Sequence, residues 1–209
     1  MIKNPTINEA LEKFKANKHA YDTFDNVVTN MTYWRRELML GAIEADTGDA
    51  IEAMIRFWNI MDDEENLPIE QRRPILLYID SPGGDLVAAF TIIDSIRMSK
   101  TPVYTINIGA AYSGGFFTFI AGHKRYTYPH ASFLYHEGST EVGGDAGKFQ
   151  NFSDFYKKQL AQLKDITLEY TNISEELYQE KRRDDWWISA DEAIKLGVAD
   201  EIIGSFELK

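Results

Sequence analysis

The chain has 209 residues, 44% hydrophobic and 26% charged, which suits one large domain with a real core and argues against a disordered chain. It has no cysteine, so disulfides, thiolate metal sites and a cysteine nucleophile are excluded, and a reducing compartment fits. With 33 acidic and 22 basic residues the net charge is −11, a surface that repels phosphate backbones and speaks against general nucleic-acid binding.

Residues 1–30 are polar and mixed and read as a separate N-terminal segment, with a helix around residues 8–18, ahead of a domain spanning 31–209. The first residues lack the apolar core of a signal peptide. Glu37 to Leu40 predicts a strand. Asp49, after Gly48, predicts a helix N-cap, with Ile51, Met54, Ile55, Trp58 and Met61 on one face. From Glu44 to Glu70 there are nine acidic residues and one basic residue, Arg56, read as a solvated face and loop.

Residues 74–79 form a continuous apolar run that ends at Asp80-Ser81-Pro82-Gly83-Gly84. Such a run predicts a parallel strand buried on both faces. A helix follows, carrying Leu86, Phe90, Ile93, Ile96 and Met98 on its apolar side. Residues 102–108 predict a second strand, stopped by Gly109, and a second helix starts near Ser113. Two strand–turn–helix units in succession predict an α/β core of βαβ units. Residues 101–122 carry no charge, but Pro102, Asn107, Ser113 and four glycines make them a buried strand–turn–helix and not a membrane span.

Short strands are expected at 125–128 and 132–135, then a glycine-rich loop or arm at 138–147. A long helix is expected at 148–170, its stripe made by Phe152, Phe155, Tyr156, Leu160, Leu163, Ile166 and Tyr170. A short helix at 173–181 follows. Ser189-Ala190-Asp191-Glu192 is a capping box for a last helix ending at Gly197, and residues 199–203 close as a strand.

The chemical signal is Gly109-Ala110-Ala111-Tyr112-Ser113-Gly114-Gly115. A serine flanked by small residues, between a strand and a helix, can stand its Oγ clear of a tight turn. The Gly114 N–H at the helix start can then face a developing oxyanion. Gly84 ends the neighbouring strand and could offer a second N–H, since such loops gather at the carboxyl ends of parallel strands. No P-loop lysine and no full G-x-G-x-x-G accompany it. Of the four histidines, His19 lies in the polar leader, and His123 and His130 flank the charged turn Lys124-Arg125. His136 directly follows an apolar strand, where base and structural histidine both remain open. Spacing does not choose the carboxylate that would orient it. No histidine pair or carboxylate cluster suggests a metal, and no cofactor is expected.

From about Arg36 to Ile203 these features together resemble the proteolytic subunit family of the Clp protease (ClpP), as a divergent, phage-type member would. The matches run in order through Ser81-Pro82-Gly83-Gly84, Asp94 and Thr105-Ile106, then Gly109 to Gly115 and Ala121-Gly122. They continue through Leu134-Tyr135-His136, Asp185 ahead of Ser189-Ala190-Asp191-Glu192-Ala193, and Gly197-Val198-Ala199-Asp200. The resemblance implies the α/β ClpP/crotonase-like fold, a ββα superhelix of repeated βαβ units with a protruding helix. It implies Ser113 as nucleophile, His136 as base, Asp185 orienting the imidazole, and Gly84 and Gly114 as oxyanion-hole donors. It also implies an ATP-dependent serine endopeptidase in the cytoplasm. Heptameric rings, stacked in pairs through helix 148–170, would receive unfolded polypeptide from a partner AAA+ unfoldase (ATPase). Substrate would lie extended beside the segments after Gly84 and Gly138.

Three departures stand out. Asp184 occupies the position before the triad aspartate, usually arginine, and the doublet makes Asp184 the alternative candidate for the triad role. Glu137-Gly138 replaces the proline after the histidine. Residues 1–30 match the family's axial loop poorly. The other readings are a non-catalytic ring subunit, an acyl-CoA enzyme of crotonase type, and a Ser–Lys maturation peptidase. The presence of all three triad residues favours the active peptidase.

Overall fold

The computed structural model describes residues 31–33, 35–138 and 143–205. The N-terminal segment, its expected helix and His19 lie outside these residues, as does 139–142 of the glycine-rich arm. The strands are β1 (Glu37–Leu40), β2 (Ile75–Ser81), β3 (Val103–Tyr112), β4 (Lys124–Thr127), β5 (Ser132–Tyr135), β6 (Trp186–Ser189) and β7 (Glu201–Ile202). The helices are α1 (Ala45–Glu64), α2 (Leu86–Met98), α3 (Gly114–Ile120), α4 (Ala146–Tyr170), α5 (Glu175–Lys181) and α6 (Ala190–Lys195).

The sheet is mostly parallel, in the order β1-β2-β3-β4-β7. β5 adds to the far end of β3 in parallel, and β6 pairs antiparallel with β5. The α/β expectation therefore holds. β2 is buried on one face through Ile75, Leu77 and Ile79, which pack with the interior of α1, α2 and α3. Its other face is only half-buried: Leu76 and Tyr78 join a second apolar layer with Ile106, Tyr126 and Ile203. The uncharged stretch 101–122 is β3 followed by α3. Among the described residues no helix is long and apolar enough to cross a membrane.

Several local expectations change. α1 begins at Ala45, with Glu44 at its N-cap, so Asp49 lies inside the helix and does not cap it. Gly48 is small because a Cβ there would come 3.1 Å from Ala88 Cβ, so it marks a close crossing of α1 and α2. Gly109 does not stop β3, which runs on to Tyr112. Met98 and Phe155 point to solvent and leave their expected stripes. β6 was not expected. The capping box at Ser189 is present as read: Ser189 Oγ accepts from Glu192 N–H and the Glu192 carboxylate accepts from Ser189 N–H.

The acidic stretch is not wholly solvated either. Asp62 is fully buried. Arg36 holds it with two N–H groups at 2.6 and 2.8 Å, and Thr101 Oγ donates at 2.7 Å. Burial alone would raise this carboxyl, but the Arg36 and Thr101 hydrogen bonds prevail and hold it below its ordinary value. A depressed carboxylate contributes stability that is complete above its unfolded value near 3.8 and is lost as the pH falls through the folded value. Asp62→Asn leaves Arg36 buried without its counter-charge and is expected to cost about 3 kcal/mol at neutral pH. Urea denaturation of wild type and variant checks this, and the gap between them should narrow as the pH falls below 3.8.

Candidate active site

Ser113 sits where β3 turns into α3. Its backbone has φ 52° and ψ −121°, a region that L side chains rarely occupy. It takes the N-cap position of α3, yet its side chain makes no capping hydrogen bond, so the hydroxyl is not consumed by the helix. Two features hold the strained turn. Ser113 N–H donates to Leu134 O at 2.9 Å, and Ser113 O accepts from Phe116 N–H at 2.9 Å. All of α3 is buried, with Phe116, Phe119 and Ile120 fully enclosed. Gly115 must be small, because a Cβ there would lie 2.9 Å from Ser81 Cβ.

The second glycine pair closes on the same point. Ile43 bridges the turn after β2: its N–H donates to Gly83 O at 2.9 Å, and its carbonyl accepts from Asp85 N–H at 2.8 Å. Gly83 and Gly84 have φ of 90° and 149°. A Cβ on Gly84 would strike Ile43 O at 2.1 Å, and one on Gly83 would reach Ser113 Cβ at 2.7 Å. Among the described residues neither the Gly84 nor the Gly114 N–H has a hydrogen-bond partner. The Gly84 nitrogen lies 3.7 Å from where a Gly114 Cβ would stand. Two free donors therefore meet beside Ser113. Gly114 is one of the orphan N–H groups that every helix start carries.

β5 brings His136. Tyr112 lies opposite Leu134, so the strand that ends at the serine fixes the one that ends at the histidine. β6 then brings the carboxylate. Its antiparallel register ends with Tyr135 against Trp186, and the side chains of the adjoining residues, His136 and Asp185, meet. His136 Nδ1 is 3.4 Å from Asp185 Oδ1, with the imidazole 30% and the carboxylate 65% exposed. Asp184 lies outside this ladder, in the turn that leaves α5, where its N–H donates to Lys181 O at 3.0 Å. Spacing alone did not choose this carboxylate because β6 was not foreseen. The signal for it was the run Trp186-Trp187-Ile188, rich in strand-favouring residues. Trp187 packs edge-on to Tyr112 at 5.2 Å, which ties β6 to the end of β3.

The remaining described histidines stand apart. His130 is exposed. His123 accepts Val103 N–H at Nδ1, 3.1 Å, so it serves the start of β3. Among the described residues no group of three acidic or histidine side chains is placed to hold a metal.

Ser113, Gly84, Gly114 and His136 line one cleft of about 540 Å³. Leu86, Val87, Phe117, Phe152 and Leu163 make its apolar part. Ser113 and His136 share the cleft, but no hydrogen bond joins the hydroxyl to the imidazole among the described residues. Such contacts are often long in unliganded sites and tighten with substrate. A free hydroxyl, an imidazole, a carboxylate behind it and two unpaired N–H groups form an arrangement capable of acyl transfer with oxyanion stabilisation.

The chain matches the family model described as Clp protease over residues 22–206, and it belongs to that family. It is 29% identical over 198 residues to the ATP-dependent Clp protease proteolytic subunit 2 of Treponema denticola, covering 94% of each chain.

Strain at Ser113 has a measurable consequence. Ser113→Gly should be more stable than Ser113→Ala by about 1 kcal/mol, because glycine tolerates the positive φ at a smaller entropic cost than the strain relieved. Urea denaturation of the two variants measures the difference. Gly84→Ala should displace the Ile43 bridge and lower stability by about 2 kcal/mol or more, read in the same way.

Proposed function

We propose that this chain is the proteolytic subunit of an ATP-dependent Clp-type peptidase, a serine endopeptidase that cleaves unfolded polypeptides within an oligomeric chamber. The observation that carries the reading is Ser113 on a strained turn, its hydroxyl uncommitted, beside two unpartnered N–H groups in the cleft that also receives His136.

In this reading Ser113 Oγ attacks the peptide carbonyl as His136 Nε2 accepts its proton. Asp185 lies on the Nδ1 side, where it selects the tautomer and stabilises the imidazolium. The carbonyl oxygen, now negative, accepts from Gly84 and Gly114 N–H; one such donor is worth about 3–4 kcal/mol in enzymes where it has been removed. His136 returns the proton to the leaving amine. Water, deprotonated by the same imidazole, then releases the acyl group and restores the hydroxyl. The walls made by Leu86, Val87, Phe117, Phe152 and Leu163 suit an apolar side chain next to the scissile bond. Substrate would lie extended beside the segments that follow Gly84 and Gly138, adding as a strand.

Residues 31–209 would form the peptidase domain and residues 1–30 the axial segment. Heptameric rings, stacked in pairs, would bury Phe149 and Phe155 on α4, which are 55% and 56% exposed in the single chain. An AAA+ unfoldase would supply substrate, and the complex would be cytoplasmic. No step calls on a metal or cofactor.

A second reading, a non-catalytic ring subunit, is favoured by the absence of a Ser113–His136 hydrogen bond and by the exposure of Asp185. Reaction with a fluorophosphonate, followed by intact mass, separates the two. The peptidase should gain one phosphonyl group, and Ser113→Ala and His136→Ala should gain none. Asp185→Asn should react about a hundredfold more slowly or worse, while Asp184→Asn stays within about twofold of wild type. A wild-type chain that stays unlabelled supports the structural subunit.

A further inference from the structure

The carboxylate behind His136 lacks a fixed seat of its own. Asp185 is largely exposed, and among the described residues its side chain has no hydrogen-bond or ion-pair partner but His136, at 3.4 Å. Its position is therefore set by its backbone. That backbone leaves α5 through Arg182, the helix C-cap, whose N–H donates to Tyr178 O at 2.8 Å, and through Asp184, whose N–H donates to Lys181 O at 3.0 Å.

Arg182 also reaches across to the histidine strand. Its Nη1 meets Glu137 Oε1 at 2.7 Å, with both side chains mostly covered, 28% and 22% exposed. Both partners are anchored elsewhere as well. Arg182 Nε donates to Gln179 Oε1 at 2.9 Å, and Glu137 O accepts from the Tyr156 hydroxyl at 2.9 Å. Glu137 adjoins His136 in the chain, and Arg182 belongs to the turn that enters Asp185.

Resting on the peptidase reading for its catalytic meaning, we infer that the Glu137–Arg182 ion pair positions His136 against Asp185. It clamps the end of the β5–β6 ladder and so sets the separation of imidazole and carboxylate. Neither residue touches substrate in this role; both are positioning residues. The partly covered location and the second anchors on each side raise the pair above an ordinary exposed one, which contributes little.

The test uses Arg182→Gln, Glu137→Gln, the milder Arg182→Lys, and the exchange E137R/R182E, all in the full chain. Crystal structures give the Nδ1–Oδ1 separation, and fluorophosphonate labelling gives the rate, with thermal melting to establish that each variant is folded. Both glutamine variants should carry the separation beyond hydrogen-bond reach and slow labelling about tenfold or more, since misplaced general bases lose a large share of their effect. Arg182→Lys keeps the charge and should fall between them and wild type. The exchange should restore the separation and bring the rate back to within about threefold, because the ion pair is remade. Unchanged separation and rate in the glutamine variants, or an exchange as impaired as the singles, overturns the inference. If wild type does not label at all, the peptidase reading fails, and the crystallographic separations still decide whether the pair sets the contact.

Discussion

The cleft depends on one constraint, the exchange of partners along β3. Its first half pairs with β4 from Tyr104 to Asn107, and its last residues pair with β5 from Ala110 to Tyr112. Gly109 lies between the two. A Cβ there would come 2.7 Å from Asp80 Oδ1, the same oxygen that accepts Ala110 N–H at 3.0 Å. The glycine lets β3 pass close to the irregular end of β2, where the register shifts between Ile79 and Ser81. Beyond it, β5 can reach alongside Tyr112. Without that exchange the histidine strand would have no ladder beside the serine.

From there the geometry propagates through backbone registers. Ser113 N–H on Leu134 O fixes the serine against β5, and Tyr135 opposite Trp186 fixes β6 against β5. Serine, histidine and aspartate thus stand at the ends of three paired strands. The strain at Ser113, of order 1–3 kcal/mol, is offset by burying the whole of α3. Full burial of one aromatic side chain such as Phe116 or Phe119 contributes about 1.5–3 kcal/mol. The sheet supplies position, and the helix supplies the free energy that keeps an unfavourable turn in place.

Much of this was legible because it is local. The run Ile75-Leu76-Leu77-Tyr78-Ile79, the glycine turn after it and the serine elbow declare themselves within a few residues. The capping box at Ser189 does so too. What was not legible is pairing at a distance. Choosing Asp185 over Asp184 requires knowing that residues 186–189 form a strand and in which register they lie on β5. Gly48 and Gly109 were misread because a glycine that permits a close approach looks in sequence like one that breaks an element. The solvated reading of the acidic stretch missed Asp62, whose partners Arg36 and Thr101 lie 26 and 39 residues away. The departures from the family at Asp184 and Glu137 also gain meaning in three dimensions. Glu137 takes an ion pair from Arg182, and Asp184 lies in the turn that leads from Arg182 to Asp185.

The central claim is that Ser113, Gly84 and Gly114 form one oxyanion-stabilising unit. A crystal structure of the fluorophosphonate adduct tests it most directly. The account requires phosphorus on Ser113 Oγ, with the phosphonyl oxygen about 2.7–3.1 Å from both the Gly84 and Gly114 nitrogens. An adduct on another residue, or a phosphonyl oxygen turned away from both glycines, would contradict it.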